Sequence, residues 1–344
     1  MPSSAAIRLD PAIGTSGTRY AKPEHDHLPW LMRPLPGVLF QAVLLSACGR
    51  YRIPVQSIDG NLWDRRSFPM PADGELRVAS LTEDEALARF FRLRWPDGFR
   101  CPACNRSAHS VIATRSLPLY QCKHCRAQTS VTSGTIMHKS RTPLSKWAAA
   151  VDALSASAGL SGVKLAALIG VSTKVACAML NKFREAIGVI ERKRKLGGDV
   201  RTGLRVMAPN RIFMYAFNRL YKCERVIALS ASVDGEGKPY ELKLRMVKGR
   251  DLEPGTKIAT DDGRRRLMEE AARPGANTMW VKETLRFPKE LEQCFKEARK
   301  WFVDVFRGIG TKYLQRYLDE YCFRWNLAMK GEAPESAWTK LMFP

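Results

Sequence analysis

Two Cys-x-x-C pairs constrain the fold of this sequence more than any other feature. Cys101 and Cys104 form "CPAC", Cys122 and Cys125 form "CKHC", and seventeen residues separate the two pairs. A strand hairpin of that length brings two such knuckles together, so that four thiolates surround one tetrahedral Zn²⁺. Because four protein ligands leave no open position, we predict a structural zinc ion in a zinc ribbon. The alternative is that the four are unrelated buried thiols.

The other five cysteines follow a different pattern. They are scattered among apolar residues, where a cysteine packs as a small hydrophobic side chain. We therefore predict that they are buried and bind no metal: Cys48, Cys177, Cys223, Cys294 and Cys322.

The net charge of the chain indicates which kinds of molecule it binds. The 344 residues include 56 Lys or Arg against 34 Asp or Glu, a formal net charge of +22, and 45% of the chain is hydrophobic. A foldable chain with this excess favours a polyanionic partner, with nucleic acid first and an anionic membrane surface as the rival. No stretch reaches the ~18 uninterrupted apolar residues of a spanning helix. We expect a cytoplasmic protein with no membrane partner.

Changes in composition divide the chain into five parts. Thr82 is a predicted N-cap, followed by acidic residues and then apolar residues at helical spacing, so a short helix leads into Cys101. The predicted parts are an N-terminal extension of unassigned role (1–78), a helix plus zinc ribbon (79–140), a helical domain (141–195), an α/β domain (196–330) and a tail (331–344).

The helical domain has the pattern of a helix-turn-helix. "GVKLAALIG" and "STKVACAMLNKFREAIGVI" place Gly170 at a turn and Ser172 as the next N-cap. Four polar side chains of the second helix lie outside its apolar stripe and are candidates for contacts with DNA bases and phosphates: Lys174, Asn181, Lys182 and Arg184. The alternative is an ordinary helical hairpin with a solvated charged face. The run "RKRK" that follows is either a solvated linker or an extension of the basic surface.

Beyond Gly197 the pattern changes to strands. "LRVMA", "RVIALSASV", "YELKLRMV" and "TKIAT" are predicted strands, and two helices are predicted to start near Pro288 and Thr311. This order indicates a mixed α/β domain. Asp319 and Glu320 lie between the members of an apolar helix stripe, so we interpret them as structural rather than catalytic.

Several stretches together resemble the zinc-ribbon transposases of bacterial insertion sequences. They are "WPDGFRCPAC", "YQCKHCRAQTSVTSGTIMHKSRTPLSKW", "LAALIGVSTKVACAMLNKFREAIG" and "GTKYLQRYLDEYCFRWN", within residues 81–330. The resemblance implies a multidomain α+β protein with a zinc ribbon, a helix-turn-helix and a ribonuclease-H-like α/β domain of the DDE type. It also implies binding to double-stranded DNA at element ends, a homo-oligomer in the bound state and a location at the bacterial nucleoid.

The same resemblance implies three carboxylates that hold two Mg²⁺ or Mn²⁺ ions. Asp261 matches the second acid, at the end of "TKIAT", and Glu292 matches the third. The first position is not matched, because Arg201 and Gly203 occupy the expected strand. Asp199 and Asp234 are the nearby substitutes, each with the alternative of a turn or strand-end Asp that bonds its own backbone.

Two hypotheses about function remain open. The chain is either a transposase that cleaves and joins DNA strands, or a catalytically inactive, transposase-derived DNA-binding protein. A basic protein that binds RNA or a membrane surface is a third possibility. The unmatched first acid distinguishes the first two.

Overall fold

The computed structural model describes residues 78, 80–114, 116–207, 219–220, 224–282, 287–306 and 309–343. Apart from Val78, the predicted N-terminal extension 1–78 lies outside this part of the chain, and so do Cys48 and Cys223.

The described chain begins with a helix and a small sheet. Helix α1 covers Glu83–Arg94 and starts at the predicted N-cap. Thr82 accepts a hydrogen bond from the Glu85 backbone, and the Glu85 carboxylate accepts one from the Thr82 backbone, which is a capping box. Strands β1 (His109–Ile112), β2 (Leu119–Cys122) and β3 (Gln128–Thr129) then form an antiparallel sheet in the order β1-β2-β3.

Three helices follow the sheet, as the sequence predicted. They are α2 (Leu144–Ala156), α3 (Gly162–Ile169) and α4 (Thr173–Lys193). Gly170 ends α3 with a φ of 65°, a left-handed conformation that suits a residue without Cβ. The Ser172 hydroxyl caps α4 by accepting a hydrogen bond from Val175 N. The turn between the two helices is therefore determined by local sequence.

One hydrophobic core joins these elements, so the predicted boundary between residues 140 and 141 does not separate two cores. Phe90 of α1, Tyr120 of β2 and Trp147 of α2 belong to the same buried cluster. The cluster also includes Trp338 and Met342. The prediction of a tail at 331–344 is thus wrong: helix α8 (Pro334–Lys340) forms there and buries Trp338 against the first part of the chain. We call the unit formed by α1, β1–β3, α2–α4 and α8 the ribbon–helix module.

A second sheet forms the α/β part. Its strands are β4 (Asp199–Met207), β5 (Arg225–Val233), β6 (Pro239–Met246) and β7 (Asn277–Trp280). Their order is β6-β5-β4-β7, with β7 parallel to β4 and the other pairs antiparallel.

The predicted strand "TKIAT" is wrong. Residues 256–260 fold back on 251–253 through an isolated bridge between Leu252 and Ala259 and a hydrogen bond from Glu253 N to Ile258 O of 2.9 Å. The Thr260 hydroxyl accepts from Gly263 N at 3.0 Å and so starts a helix at the next residue. That helix is α5 (Asp261–Ala271).

Helices cover both faces of the second sheet. Helices α6 (Lys289–Phe306) and α7 (Leu314–Lys330) pack on one face, where they contact Leu229 and Leu242. Leu267 of α5 packs on the other face, against Val226 and Ala228. We call the unit formed by β4–β7 and α5–α7 the α/β module. Among the described residues no single helix has the length and apolar character needed to span a membrane; only the pair α3–α4 together reaches that length and composition, across a 112° bend.

The outer edge of β6 is covered by side chains of α7. Leu242 N donates to Asn326 Oδ1 at 2.8 Å, and Met246 N donates to Gln315 Oε1 at 2.7 Å. The Asn326 amide also donates to Leu242 O at 2.9 Å. Because these bonds replace a neighbouring strand, the β6 edge is protected from pairing with another chain.

Candidate metal centre and nucleic-acid interface

The four predicted zinc ligands converge. The Sγ atoms of Cys101, Cys104, Cys122 and Cys125 all lie within 4.8 Å of one another. Two of the Sγ–Sγ distances, Cys101 to Cys125 and Cys104 to Cys122, are 3.5 Å. This arrangement fits the closed tetrahedral thiolate site that the sequence predicts, and it supports zinc binding.

Each cysteine pair is held in a turn of the same geometry. Asn105 N donates to Cys101 O at 2.9 Å, and Arg126 N donates to Cys122 O at 3.0 Å. Asn105 and Arg126 both adopt a positive φ, 59° and 62°. The two turns therefore present their thiols in matching orientations, one from each side of the site.

The backbone of the second turn favours a thiolate. Backbone N–H groups of Cys125 and His124 lower the pKa of the Cys122 thiol to about 6, against the effect of burial. Although the Arg106 backbone lowers it, burial and contacts with the other three thiols raise the pKa of Cys104 to about 12. The backbone therefore favours the thiolate, the form that binds metal, at Cys122 first.

An aromatic cluster packs within the ribbon and against the segment that precedes it. Trp95 lies 5.0 Å from Phe99 and 5.4 Å from Tyr120, measured between ring centroids. The His109 ring lies 4.6 Å from that of Phe99 in a tilted arrangement, and its Nδ1 lies 2.9 Å from the Ser107 carbonyl oxygen. His109 is thus part of the aromatic packing of the ribbon and lies outside the group of four thiols.

The helix pair α3–α4 places the DNA-binding candidates in different environments. Lys174 and Asn181 are exposed on α4. Lys182 is half-buried, donates from Nζ to His138 O at 2.9 Å and lies over the Trp147 ring at 5.8 Å. The predicted exposure of Arg184 is wrong, since only 4% of this residue is accessible.

Arg184 is buried because it belongs to an ion triad that the sequence analysis missed. Its Nε donates to Glu320 Oε2 at 2.7 Å, and Arg324 donates to Glu320 Oε1 at 3.0 Å. Arg324 also donates to the carbonyls of Leu154 and Ser157 at the end of α2. The triad therefore joins α2, α4 and α7. The only signal in the sequence was the i,i+4 spacing of Glu320 and Arg324.

The basic run 192–195, which ends α4 and continues just beyond it, is only partly solvated. Arg192 and Lys193 are exposed. Arg194 pairs with Glu191 at 2.5 Å and donates to Leu242 O at 2.6 Å. Lys195 donates to the backbone carbonyl of Glu269. Half of the run thus anchors α4 to the α/β module.

Three of the candidate catalytic acids have other partners, within a helix, within a turn or on a neighbouring strand. Asp261 is the first residue of α5, its side chain is 97% exposed, and it pairs with Arg264 at 3.1 Å. Asp234 accepts hydrogen bonds from the backbone of Glu236 and Lys238 within its own turn. Asp199 accepts from the amide of Asn277 at 3.1 Å.

The fourth acid, Glu292, is paired with a cation from the strand where the first acid was expected. Arg205 Nε of β4 donates to Glu292 Oε2 at 2.7 Å. The Arg205 guanidinium stacks 3.3 Å from the centroid of Phe287. A Cβ at Gly203 would lie 2.4 Å from Phe287 Cε2, so the phenyl ring fills the place of a side chain there.

These acids are not brought together. Within the described part of the chain, the four cysteines are the only group of three or more His, Cys, Asp or Glu side chains arranged to hold one metal ion. Asp261 and Glu292 remain candidates by resemblance alone. Asp199 and Asp234 remain nearby substitutes for the unmatched first acid.

Comparison with known proteins agrees with the zinc centre. No curated protein and no solved structure matches the chain. Residues 81–128, which hold α1 and all four cysteines, match one family model. In this region the chain is similar to the transposase zinc-ribbon domain.

Proposed function

We propose that this protein binds duplex DNA through its ribbon–helix module, as an insertion-sequence transposase-like protein that does not cleave DNA. The observation that carries the proposal is the Cys₄ cluster inside a segment that matches a transposase zinc-ribbon domain. A net charge of +22 supports a polyanionic partner. By the resemblance, the DNA is the end of a mobile element, the bound form is a homo-oligomer, and the protein acts at the nucleoid.

The geometry of α3 and α4 supports a helix-turn-helix role. The two helices meet at 112° across the three-residue turn 170–172, and helix pairs of this kind cross at about 90–120°. Lys174 and Asn181 remain exposed in the first half of α4, where base contacts are made by helices in the major groove. Arg184 no longer belongs to this set, because it is bound to Glu320.

The α/β module supports kinship with the ribonuclease-H-like scaffold more than it supports catalysis. A mixed sheet with helices on both faces is compatible with that scaffold. Two-metal phosphoryl transfer, however, needs carboxylates on both sides of an ion pair. Arg205 neutralises Glu292, and Phe287 covers Gly203. These contacts favour the inactive alternative over a transposase that uses Mg²⁺ or Mn²⁺.

Binding to random duplexes, followed by fluorescence anisotropy at several salt concentrations, tests the DNA proposal. We expect steep salt dependence, because phosphate contacts release counterions. Lys174→Ala and Asn181→Ala should weaken sequence preference more than overall affinity, once a preferred sequence has been selected. Affinity for duplex no greater than for a neutral polymer would overturn the proposal.

Strand cleavage tests the catalytic alternative. We expect no cleavage of bound duplexes with Mg²⁺ or Mn²⁺. Cleavage that disappears in Asp261→Asn while binding survives would show that an acidic site has been rebuilt. Cleavage that persists in Asp261→Asn, and also in Glu292→Gln, would show that neither residue belongs to the site that cleaves DNA.

A further inference from the structure

A basic groove lies where the ribbon–helix module continues into the α/β module. After α4 the chain pairs with the end of α5: Leu196 N donates to Ala271 O at 2.8 Å, and Arg273 N donates to Leu196 O at 2.7 Å. This pairing brings Arg273 beside Lys195, whose carbonyl accepts from Arg273 Nε at 3.1 Å. The exposed Arg192 and Lys193 directly precede this point.

The groove is open and has an apolar floor. It is a cavity of about 470 Å³ between the end of α4, helix α5 and strand β7. Met268, Ala272 and Pro274 contribute the apolar part of its lining. Lys195, Arg265 and Arg273 contribute three cations and Glu269 contributes one carboxylate, so cations outnumber acids in the lining. The lining therefore combines an apolar part with a majority of cations among its charged side chains.

Carboxylates neutralise these three cations only weakly. Lys195 and Arg273 are held by backbone carbonyls, which are neutral acceptors. In the described part of the chain neither side chain has a carboxylate within ion-pair distance. Arg265 pairs with Asp262, but both side chains are about two-thirds exposed, 68% and 66%, and such surface pairs are weak. A phosphate oxygen can replace the Asp262 carboxylate at Arg265.

We infer that this groove is a second contact for the phosphate backbone of the same duplex that α4 binds. The inference rests on the proposed DNA binding and adds a contact outside the ribbon–helix module. A helix rises about 1.5 Å per residue, so Lys174 and Arg192 are about 27 Å apart along α4. A duplex that follows α4 as far as the groove must be at least that long, about eight base pairs at about 3.4 Å each. The groove should therefore contribute more to the binding of a long duplex than of a short one.

Lengthening the duplex separates this contact from the first one. Affinities of the full chain are measured for random duplexes of about 8 and about 30 base pairs, across a range of salt. Joining two contacts on one duplex raises affinity beyond either contact alone. We expect the double variant Arg265→Ala, Arg273→Ala to bind the long duplex on the order of tenfold more weakly at 0.1 M salt. We also expect its salt slope on the long duplex to fall by about 2.

The double variant should gain less affinity from the longer duplex than the unchanged protein does. Lys296→Ala, Lys300→Ala is the matched control, because these exposed cations lie on α6, on the opposite face of the sheet. The control should retain both the length dependence and the salt slope. Zinc content and thermal unfolding verify that each variant is folded, and Arg273→Glu provides a stronger change of charge at the same exposed site.

The outcomes distinguish the two proposals. Equal length dependence in the double variant and the unchanged protein would overturn the groove contact while DNA binding stands. No binding of either duplex by the unchanged protein would overturn both. Displacement of the long duplex by poly-glutamate as readily as by unlabelled DNA would assign the groove to acidic polypeptides and overturn the DNA assignment.

Discussion

The ribbon–helix module and the α/β module differ in how they arrange their candidate metal ligands. In the first, four thiols from two turns lie within 4.8 Å of one another. In the second, Asp261 is 97% exposed on a helix start and Glu292 is held by Arg205. The ribbon brings its candidate ligands together, whereas in the α/β module a cation pairs with Glu292 and a phenyl ring fills the space beside Gly203. Among the described residues, the two modules therefore differ in whether their candidate ligands can share one metal ion.

Removing one zinc ligand should have the largest effect. Cys122→Ser leaves three thiols, and zinc supplies much of the folding free energy of small modules of this kind. We expect loss of bound zinc, local unfolding of β1–β3 and loss of DNA binding, measured by metal analysis, circular dichroism and anisotropy. Cys177→Ser is the control, because this exposed cysteine lies outside the cluster. Full zinc content in Cys122→Ser would show that the ribbon does not depend on this ligand.

Truncating a core side chain of α8 tests whether the C-terminal segment belongs to the first module. Trp338 is 1% exposed and packs edge-on against Phe183 and Phe323. Trp338→Ala should lower the free energy of unfolding by about 3–5 kcal/mol, measured by urea denaturation. Glu335→Ala, at an exposed position of the same helix, should change it by less than about 0.5 kcal/mol. Equal effects of the two variants would return residues 331–344 to the status of a tail.

A buried acid where α7 meets α4 and β6 should give a pH-dependent stability. Burial raises the pKa of Asp319 to about 6, although a hydrogen bond from Gln315 and the charge of Arg245 lower it; Glu191 of α4 raises it and Arg192 lowers it. Because the folded state binds this proton more tightly than the unfolded state does, protonation stabilises the protein as pH falls from about 6 towards about 4.

Asp319→Asn tests that behaviour, since the amide is neutral at every pH. The variant should be more stable than the unchanged protein at pH 7, on the order of 2 kcal/mol, and this advantage should vanish below about pH 4. Thermal unfolding across pH 4–8 measures it. Asp304→Asn, at an exposed acid of α6, should show no such trend. A constant difference between Asp319→Asn and the unchanged protein over the whole range would contradict the buried-acid account.

Releasing Glu292 from its cation should have the smallest effect. The Arg205 and Glu292 side chains are 20% and 32% exposed. Arg205→Ala should therefore lower the free energy of unfolding by about 0.5–1 kcal/mol, as loss of a partly exposed ion pair does. We expect no divalent-metal cleavage in this variant. Arg316→Ala, which breaks a pair with Glu185, is the control for stability. Cleavage that appears in Arg205→Ala and is abolished by adding Glu292→Gln would show that the pair suppresses an active site.

Features that depend on neighbours in the chain could be predicted. The two Cys-x-x-C pairs, the N-cap at Thr82, the cap at Ser172 and the boundaries of β5 all follow from residues a few positions apart. Cys294 and Cys322 are buried as predicted, but Cys177 is exposed, because its helix position turns it outward over Gly162. The strand prediction for "TKIAT" was wrong because the Thr260 cap and the bridge to Leu252 override strand propensity.

The local sequence accounts for the ribbon, its candidate zinc ligands and most helices, because cap hydrogen bonds and Cys-x-x-C turns join residues at fixed short spacing. Which distant residues meet depends on how the whole chain packs. Arg184 and Glu320 are 136 positions apart, and their contact buried a predicted DNA ligand. The pairing of Arg205 with Glu292 likewise joins residues 87 positions apart. A charged side chain looks the same in sequence whether solvent, DNA or a buried carboxylate neutralises it, and packing alone makes that choice.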